Sequence, residues 1–410
     1  MQALKNIKIG VFISLVNILI QGVSVLVQNI IASNLGVVNF GHFGILQSDY
    51  TIFCAIADFG MATLILAFFG KRATQGRLFT HVLQLRIAMT TLTALAMVVF
   101  ACTVRRNSPI MLGELVLAGG LLFQHAFFDW YFICGNLWKK LLISKVLHTL
   151  SYSIIMVTSL WYFHIDSIPA IALAMVLSAL PAFSFGVRQA FSIQNLRIGP
   201  HMLRFFRLMV RAACPYALSS LASFAYLPVG LYTVASFASE SLLGAYNFAH
   251  KIIMLASGLM VHFISSSLIT LHQTDSKILP LRDQFVFTLF IAAASSPLWL
   301  FPEYVLKIIF FAAPWTDSVL QTSALCLRIL SMSLLLQATR MGMISTLLKE
   351  KRTWLYGTMI SLGGVLNIAV CLGGAQLLGS RNIPLFTLTG DICLSLFLLA
   401  YFVRSKRIRL

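Results

Sequence analysis

Acidic side chains are scarce in this chain: Asp and Glu together number 12 in 410 residues, and only 10% of positions are charged. Soluble domains carry about a quarter charged residues, so an ordinary water-soluble fold is excluded. Cysteine is sparse and unpatterned. Cys54, Cys102, Cys134, Cys214, Cys326, Cys371 and Cys393 all fall inside apolar runs, without the close pairs that a metal centre or a disulfide framework requires. A thiol so placed acts as a small apolar side chain. Also missing are a serine–histidine–acid order, a phosphate-cradling glycine loop and a paired-carboxylate arrangement. The sequence argues against a conventional soluble enzyme and calls for no cofactor and no metal.

Apolar length is what the chain has in abundance: 59% of residues are hydrophobic and mean hydropathy is +0.89. A bilayer core about 30 Å thick takes roughly 20 apolar residues per helical span. On that measure twelve candidate spans are present, at 9–32, 42–69, 80–104, 110–135, 141–163, 167–186, 212–237, 244–271, 284–300, 318–345, 354–378 and 383–403. Lys5 and Lys8 before the first run imitate a signal peptide. The run is longer than the roughly 7–15 apolar residues of a signal sequence, and no small-residue cleavage pattern follows it. It reads as the first membrane helix. The expected fold class is an all-α polytopic membrane protein of about twelve transmembrane helices.

The formal net charge of +18 would suggest nucleic acid in a soluble protein, but its distribution points elsewhere. Alternate connections carry Lys5 and Lys8; Lys71, Arg72 and Arg77; Lys139, Lys140 and Lys145; Arg188, Arg197, Arg204, Arg207 and Arg211; Lys277 and Arg282; Lys349, Lys351 and Arg352; and Arg404, Lys406, Arg407 and Arg409. The intervening connections carry only Arg105, Arg106, Lys307 and Arg381. This is the positive-inside asymmetry. It places both termini in the cytoplasm and makes the basic excess a matter of topology and anionic-lipid contact, with no nucleic-acid partner. The longest outer connection, 301–317, is itself apolar. No extramembrane domain is left to hold an active site.

The sequence LGVVNFGH at 35–42 leads into the second span, and LGAYNFAH at 243–250 leads into the eighth. They share Leu, Gly, Asn, Phe and His in register. The copies lie an even number of spans apart and so run in the same direction through the membrane. Parallel repeats about an axis along the membrane normal are a transporter architecture with the substrate site at the repeat interface. Two six-helix lobes are therefore expected, 1–187 (spans 1–6) and 212–410 (spans 7–12), joined by a basic connector at 188–211. That connector breaks at Gly199-Pro200 and then alternates arginines with Met202, Leu203, Phe205, Phe206, Leu208 and Met209. It suits either an amphipathic helix on the cytoplasmic face or a plain basic link. Pro169, Pro181, Pro215, Pro228 and Pro297 either kink spans or mark their ends.

Ionisable residues inside spans are costly when they face lipid, so they face protein or a water-filled cavity. The candidates are Asp49, Asp58, Arg86, Glu114, Asp129, Lys251, Arg328 and Arg340. Two readings are open. One is structural, with Asp58 pairing Arg86 across the hairpin of spans 2 and 3 and others pairing likewise. The other is functional: Lys251, Arg86, Arg328 and Arg340 bind an anionic substrate, while Asp49, Asp58 and Asp129 bind or exchange coupling ions. Lys251 stands out because it lies just beyond the second repeat, where the first repeat has Phe43, and no acidic residue lies within one helical turn of it. His250 beside it reads as a helix-surface histidine.

The chain resembles polysaccharide flippases of the O-antigen (Wzx) type, in the multidrug/oligosaccharidyl-lipid/polysaccharide exporter superfamily. The resemblance is carried by IIASNLGVVNFGHFGIL at 30–46, IADFGM at 56–61, FFDWYFICGNLWKK at 127–140, LLGAYNFAHKII at 242–253 and KEKRTWLYGTMISLGGVLNIAV at 349–370. Gly244, Tyr246, Ala249 and Lys251 fit the family's G-x-Y-x-x-A-x-K stretch, whereas Ile133-Cys134-Gly135 departs from the polar residue usual before that glycine. The resemblance implies a two-lobed, V-shaped fold that moves an undecaprenyl-pyrophosphate-linked oligosaccharide across the bacterial inner membrane by alternating access. It also implies membrane lipids, a polysaccharide polymerase and a chain-length regulator as partners. The residues agree on the essentials, since a pyrophosphate needs internal cations to cross hydrocarbon. A drug exporter of the same superfamily would be expected to have a net acidic cleft. A membrane-embedded glycan polymerase would carry a large outer loop. A structural scaffold would leave the submerged charges and the repeat unexplained.

Overall fold

In hydrocarbon every backbone polar group must be paired within the chain, which limits a spanning segment of this kind to helix. The computed structural model describes residues 2–61, 64–65, 76–135, 137–191, 202–226, 228–273, 281–350, 352–379 and 382–404, and no strand occurs among them. The protein is an all-α polytopic membrane protein. Its helices are α1 (Gln2–Asp58), α2 (Gly76–Thr103), α3 (Met111–Gly120), α4 (Asp129–Cys134), α5 (Trp138–Val157), α6 (Ile168–Phe191) and α7 (Met202–Tyr226). They continue as α8 (Val229–Phe237), α9 (Glu240–Gln273), α10 (Leu281–Leu300), α11 (Pro302–Ile309), α12 (Asp317–Lys349), α13 (Thr353–Leu378) and α14 (Ile383–Arg404).

Helix is found within each of the twelve apolar runs, but the described helices long and apolar enough to cross a membrane number 8, or up to 9 with one bent pair. The difference has local causes. Spans 1 and 2 run together as one long helix, broken only at Gly36, whose φ of 71° and ψ of 175° lie outside the helical region. Only glycine takes such a φ without strain. The fourth span is interrupted: two short 3-10 turns follow Gly120, with Gln124 extended between them, before α4 begins. The seventh is cut between α7 and α8, where Pro228 precedes Val229. The connection 301–317, expected as an apolar loop, contains α11, which folds back at 91° to the preceding segment. Pro181, Pro215 and Pro297 sit inside helices rather than at span ends.

Two compact units are formed. One comprises Met1–Ile18, Gly36–Ile45 and Ala222–Leu410; the other comprises Leu19–Leu35 and Leu46–Leu221. In the first, α9 packs against α12, which also packs against α14, and α14 against α13. In the second, α6 packs against both α5 and α3. Aromatic side chains fill the core of the second unit: Phe79, Phe127, Phe128, Trp130, Tyr131 and Phe132 are buried together with Met61, Leu83 and Tyr216. The FFDWYF stretch is thus largely a packing motif that carries one carboxylate. Basic residues at 71–72, 192–201, 274–280, 351, 381 and 405–410 lie outside the described residues, and so does the Gly199-Pro200 break of the 188–211 connector, whose two ends are helical, 188–191 closing α6 and 202–211 opening α7.

Candidate functional site

The two repeat copies meet within the first unit. Phe40 and Phe248, which occupy the same register position, have ring centroids 4.7 Å apart. Phe43 and Lys251, also equivalent, form the next contact: the Lys251 ammonium lies over the Phe43 ring, 5.9 Å from its centroid. Equivalent residues touching each other is the signature of packing about a local two-fold axis. Between these contacts the buried Asn247 donates its Nδ2 hydrogen bond to the Phe40 carbonyl at 2.6 Å across 207 residues of chain. A cation over an aromatic face gains about 0.5–2 kcal/mol, more when desolvated. The difference just beyond the repeats therefore exchanges a ring for a cation that faces its own counterpart.

The shared glycine does different work in each copy. Gly36 provides the positive φ that bends α1. Gly244 is helical, and a Cβ there would run into the carbonyl oxygen of Val37. Gly41 is equally close, since a Cβ on it would lie 2.8 Å from the Gly244 nitrogen. Gly244→Val is expected to cost about 1–3 kcal/mol through overpacking, whereas Gly364→Ala, with nothing within 4 Å of the added carbon, is expected to be neutral or slightly stabilising. Thermal unfolding of the two purified variants checks the contrast.

In the family stretch, Tyr246 and Ala249 are buried at 1% and 0% exposure. The Tyr246 ring stacks near His250, with centroids 6.1 Å apart, and its hydroxyl is close enough that a Cβ on Gly230 would collide with it. Three of the four motif residues are therefore packing residues, and Lys251 is the one that brings a charge.

Charges of the second unit fall into two groups along α1. Asp58 accepts a hydrogen bond from the Arg86 guanidinium at 2.7 Å. Arg86 is 5% exposed and its carbon lies 5.2 Å from the Phe127 ring centroid. Asp129, in the first turn of α4, is within electrostatic reach of Lys145, Arg86 and Asp58. The interruption of span 4 is what starts a new helix at Asp129 and brings its carboxyl within electrostatic reach of the pair. Asp49 belongs to the other group and accepts a hydrogen bond from Arg105 at 2.9 Å. Glu114, fully buried, lies 3.4 Å from Arg105 Nε. Arg105, read from the sequence as part of a connection, turns its guanidinium onto submerged carboxylates.

The remaining cations lie in the first unit on α12. Arg340 makes a 2.6 Å ion pair with Asp391 of α14, both side chains being 6% exposed. Asp391 was not among the residues singled out above, although it is the sole acidic residue in the twelfth apolar run, a signal that could have found it. Arg328 is exposed and donates from Nε to the Trp299 carbonyl at 3.1 Å. The structure thus pairs Arg86 with Asp58, with Asp129 within electrostatic reach of them, sets Asp49 in a separate cluster with Arg105, and leaves Lys251, Arg328 and Arg340 on other elements.

The fold is one seen before. The chain superposes on "Lipid II flippase MurJ, inward closed conformation" with a TM-score of 0.76, 13% identity, and coverage of 95% of this chain and 87% of that one. An inward-facing multidrug resistance MATE family transporter of the MOP superfamily matches with a TM-score of 0.70 and 12% identity, over 97% of this chain and 100% of that one. A MOP superfamily transporter from Pyrococcus furiosus, described as having a binding pocket of reverse polarity, matches with a TM-score of 0.67, 12% identity, and coverage of 96% and 94%. No curated protein matches by sequence. At such identities the likeness establishes the fold alone. The sequence model described as "Polysaccharide biosynthesis protein" matches residues 7–269, more than half of the chain, and the chain therefore belongs to the polysaccharide biosynthesis protein family.

Proposed function

We propose that this protein is a flippase that carries an undecaprenyl-pyrophosphate-linked oligosaccharide across the bacterial inner membrane by alternating access, with both termini cytoplasmic and with lobes 1–187 and 212–410 joined at 188–211. The observation that carries the reading is the family match over 7–269 on a chain that consists almost wholly of membrane helices. Submerged cations support it. Lys251 and Arg86 are the donors assigned to the pyrophosphate, with Arg328 and Arg340 as further cations along α12. Charge-assisted bonds to phosphate oxygens are among the strongest hydrogen bonds available. The isoprenoid tail stays in lipid while the sugars cross among polar groups. A polysaccharide polymerase and a chain-length regulator would act on the product.

The Asp58–Arg86 pair suggests how substrate and ion are linked. An arriving phosphate takes the place of the Asp58 carboxylate on Arg86, and the released Asp58, with Asp129 beside it, then takes up a cation. Asp58→Asn removes that competition. It is expected to lower glycan export about tenfold, the equivalent of about 1.4 kcal/mol, and to weaken its dependence on the ion gradient; normal export with unchanged gradient dependence would count against the role.

The flippase reading itself is tested in a cell that lacks its own flippase but assembles the lipid-linked unit. Wild-type protein is expected to restore surface polysaccharide and to relieve accumulation of the unit on the cytoplasmic leaflet. If vesicles given substrate already on the outer face still need the protein to build polymer, it is a polymerase instead.

A further inference from the structure

Among the arginines set in or beside the apolar runs, Arg86, Arg105 and Arg340 each face a carboxylate. Arg328 does not. Its Nε donates to the Trp299 carbonyl at 3.1 Å, and among the described residues its two terminal nitrogens make no hydrogen bond or ion pair. The side chain is exposed. Trp299 lies in the last turn of α10, where helix carbonyls have no partner of their own. Capping that carbonyl takes one N–H, which a neutral glutamine supplies as well. The cap therefore leaves the permanent charge and the free edge of the guanidinium unexplained. That edge matches phosphate oxygens in pairs.

Two helix lengths fix where this group stands in the bilayer. Helix α10 runs 18 positions from Leu281 to Trp299, about 27 Å, and α12 runs 21 positions from Arg328 to Lys349, about 32 Å, at about 1.5 Å per residue. Each matches a hydrocarbon core about 30 Å thick, and each starts from a basic end, at Arg282 and Lys349. Arg328 and Trp299 therefore share the far boundary, at headgroup level. The surroundings agree. Exposed positions of α12 outward of Arg328 include Asp317, Ser318 and Gln321, while the next exposed one inward is Met332. At the same level α11 turns 91° from α10 and exposes Tyr304, which with Trp299 is a side chain of interfacial belts. Just inward of Trp299, α10 exposes the small side chains of Ala293 and Ser296, which let an acyl chain lie close.

We propose that Arg328 binds the phosphate headgroup of a lipid in the leaflet at that boundary, the outer one in the orientation given above, with the lipid chain against α10 and α12 below it. The proposal deepens the flippase reading by naming what this cation holds, and rests on it only for which leaflet is meant. Two lipids carry the chemistry: a membrane phospholipid and the polyprenyl pyrophosphate carrier. Binding is charge-assisted and breaks no covalent bond.

The test uses the full chain in lipid nanodiscs, with the photoreactive residue benzoylphenylalanine in place of Met332, one turn inward of Arg328. Radiolabelled phosphatidylglycerol, undecaprenyl pyrophosphate or diacylglycerol is supplied in turn. Illumination is expected to label the protein with one or both phosphate lipids at least fivefold more than with diacylglycerol, and the stronger of the two identifies the source. Arg328→Gln, which keeps a donor for the Trp299 carbonyl, is expected to lower that labelling at least fivefold. Arg328→Lys, which keeps the charge, is expected to retain most of it. Gel filtration of each variant confirms that it is folded. Labelling as strong with diacylglycerol, or unchanged in Arg328→Gln, overturns the proposal; equal loss in both variants overturns it too, and makes Arg328 a helix cap alone. No transport is measured, so labelling that follows the charge in a protein unable to restore surface polysaccharide leaves the site standing while the flippase reading fails.

Discussion

Asp391→Ala is expected to cost about 3–5 kcal/mol of stability, the usual penalty for stranding one partner of a buried ion pair, and to leave little of the protein in the membrane. Arg340 donates to the Asp391 carboxylate at 2.6 Å and reaches the Asp391 carbonyl at 3.5 Å, and both side chains are 6% exposed. With the carboxylate removed, the guanidinium keeps its charge, since arginine does not deprotonate in proteins, and it stays in a site where it is only 6% exposed. The double variant Arg340→Met with Asp391→Leu removes both charges. It is expected to recover most of the loss, because apolar replacement of a buried pair is often neutral or stabilising. Membrane accumulation and thermal unfolding in detergent check both. Equal losses in the single and double variants would mean that shape rather than charge is what the pair supplies.

Lys251→Ala is expected to abolish surface polysaccharide in a cell that depends on this protein, at membrane levels matched to wild type, while Lys251→Arg restores much of it. The argument is electrostatic. An anionic headgroup crossing low-dielectric material needs a cation that moves with the protein and not with solvent, and either basic side chain can provide one. Arginine can also keep the contact with the Phe43 ring, since guanidinium groups stack well on aromatic faces. Lys251→Met separates the two functions of the side chain, because it keeps the aliphatic stem against Phe43 and drops the charge. Export retained by Met would make Lys251 a packing residue and the family's lysine a matter of helix contact.

These expectations depend on partners that could not be read along the chain. Asp49 and Arg105 are 56 residues apart, Arg340 and Asp391 are 51 apart, and no helical periodicity links either pair. The sequence weighed Arg86 with Asp58 because a short hairpin brings neighbours in sequence together. It passed over Asp391 because a lone acid in an apolar run carries no mark of what it faces. Arg105 was read as topology, since a residue two positions past a helix end has no stated direction until the turn is built.

By itself the amino-acid sequence determined that the protein is helical and membrane-embedded, that its basic residues alternate between connections, and that two like segments head two like spans. Hydrophobicity and charge act locally, through the cost of transferring each residue into lipid, so they can be summed along the chain without knowing the fold. Tertiary structure alone decided that the repeats meet face to face, that Gly36 bends a helix while Gly244 admits a neighbour, and that span 4 breaks to begin a helix at Asp129. It also decided which buried charges are paired, and that Asp49 and Glu114 both lie against Arg105. Those outcomes depend on distances between residues far apart in the chain, and an interaction that falls off over a few ångströms is invisible until the helices are packed.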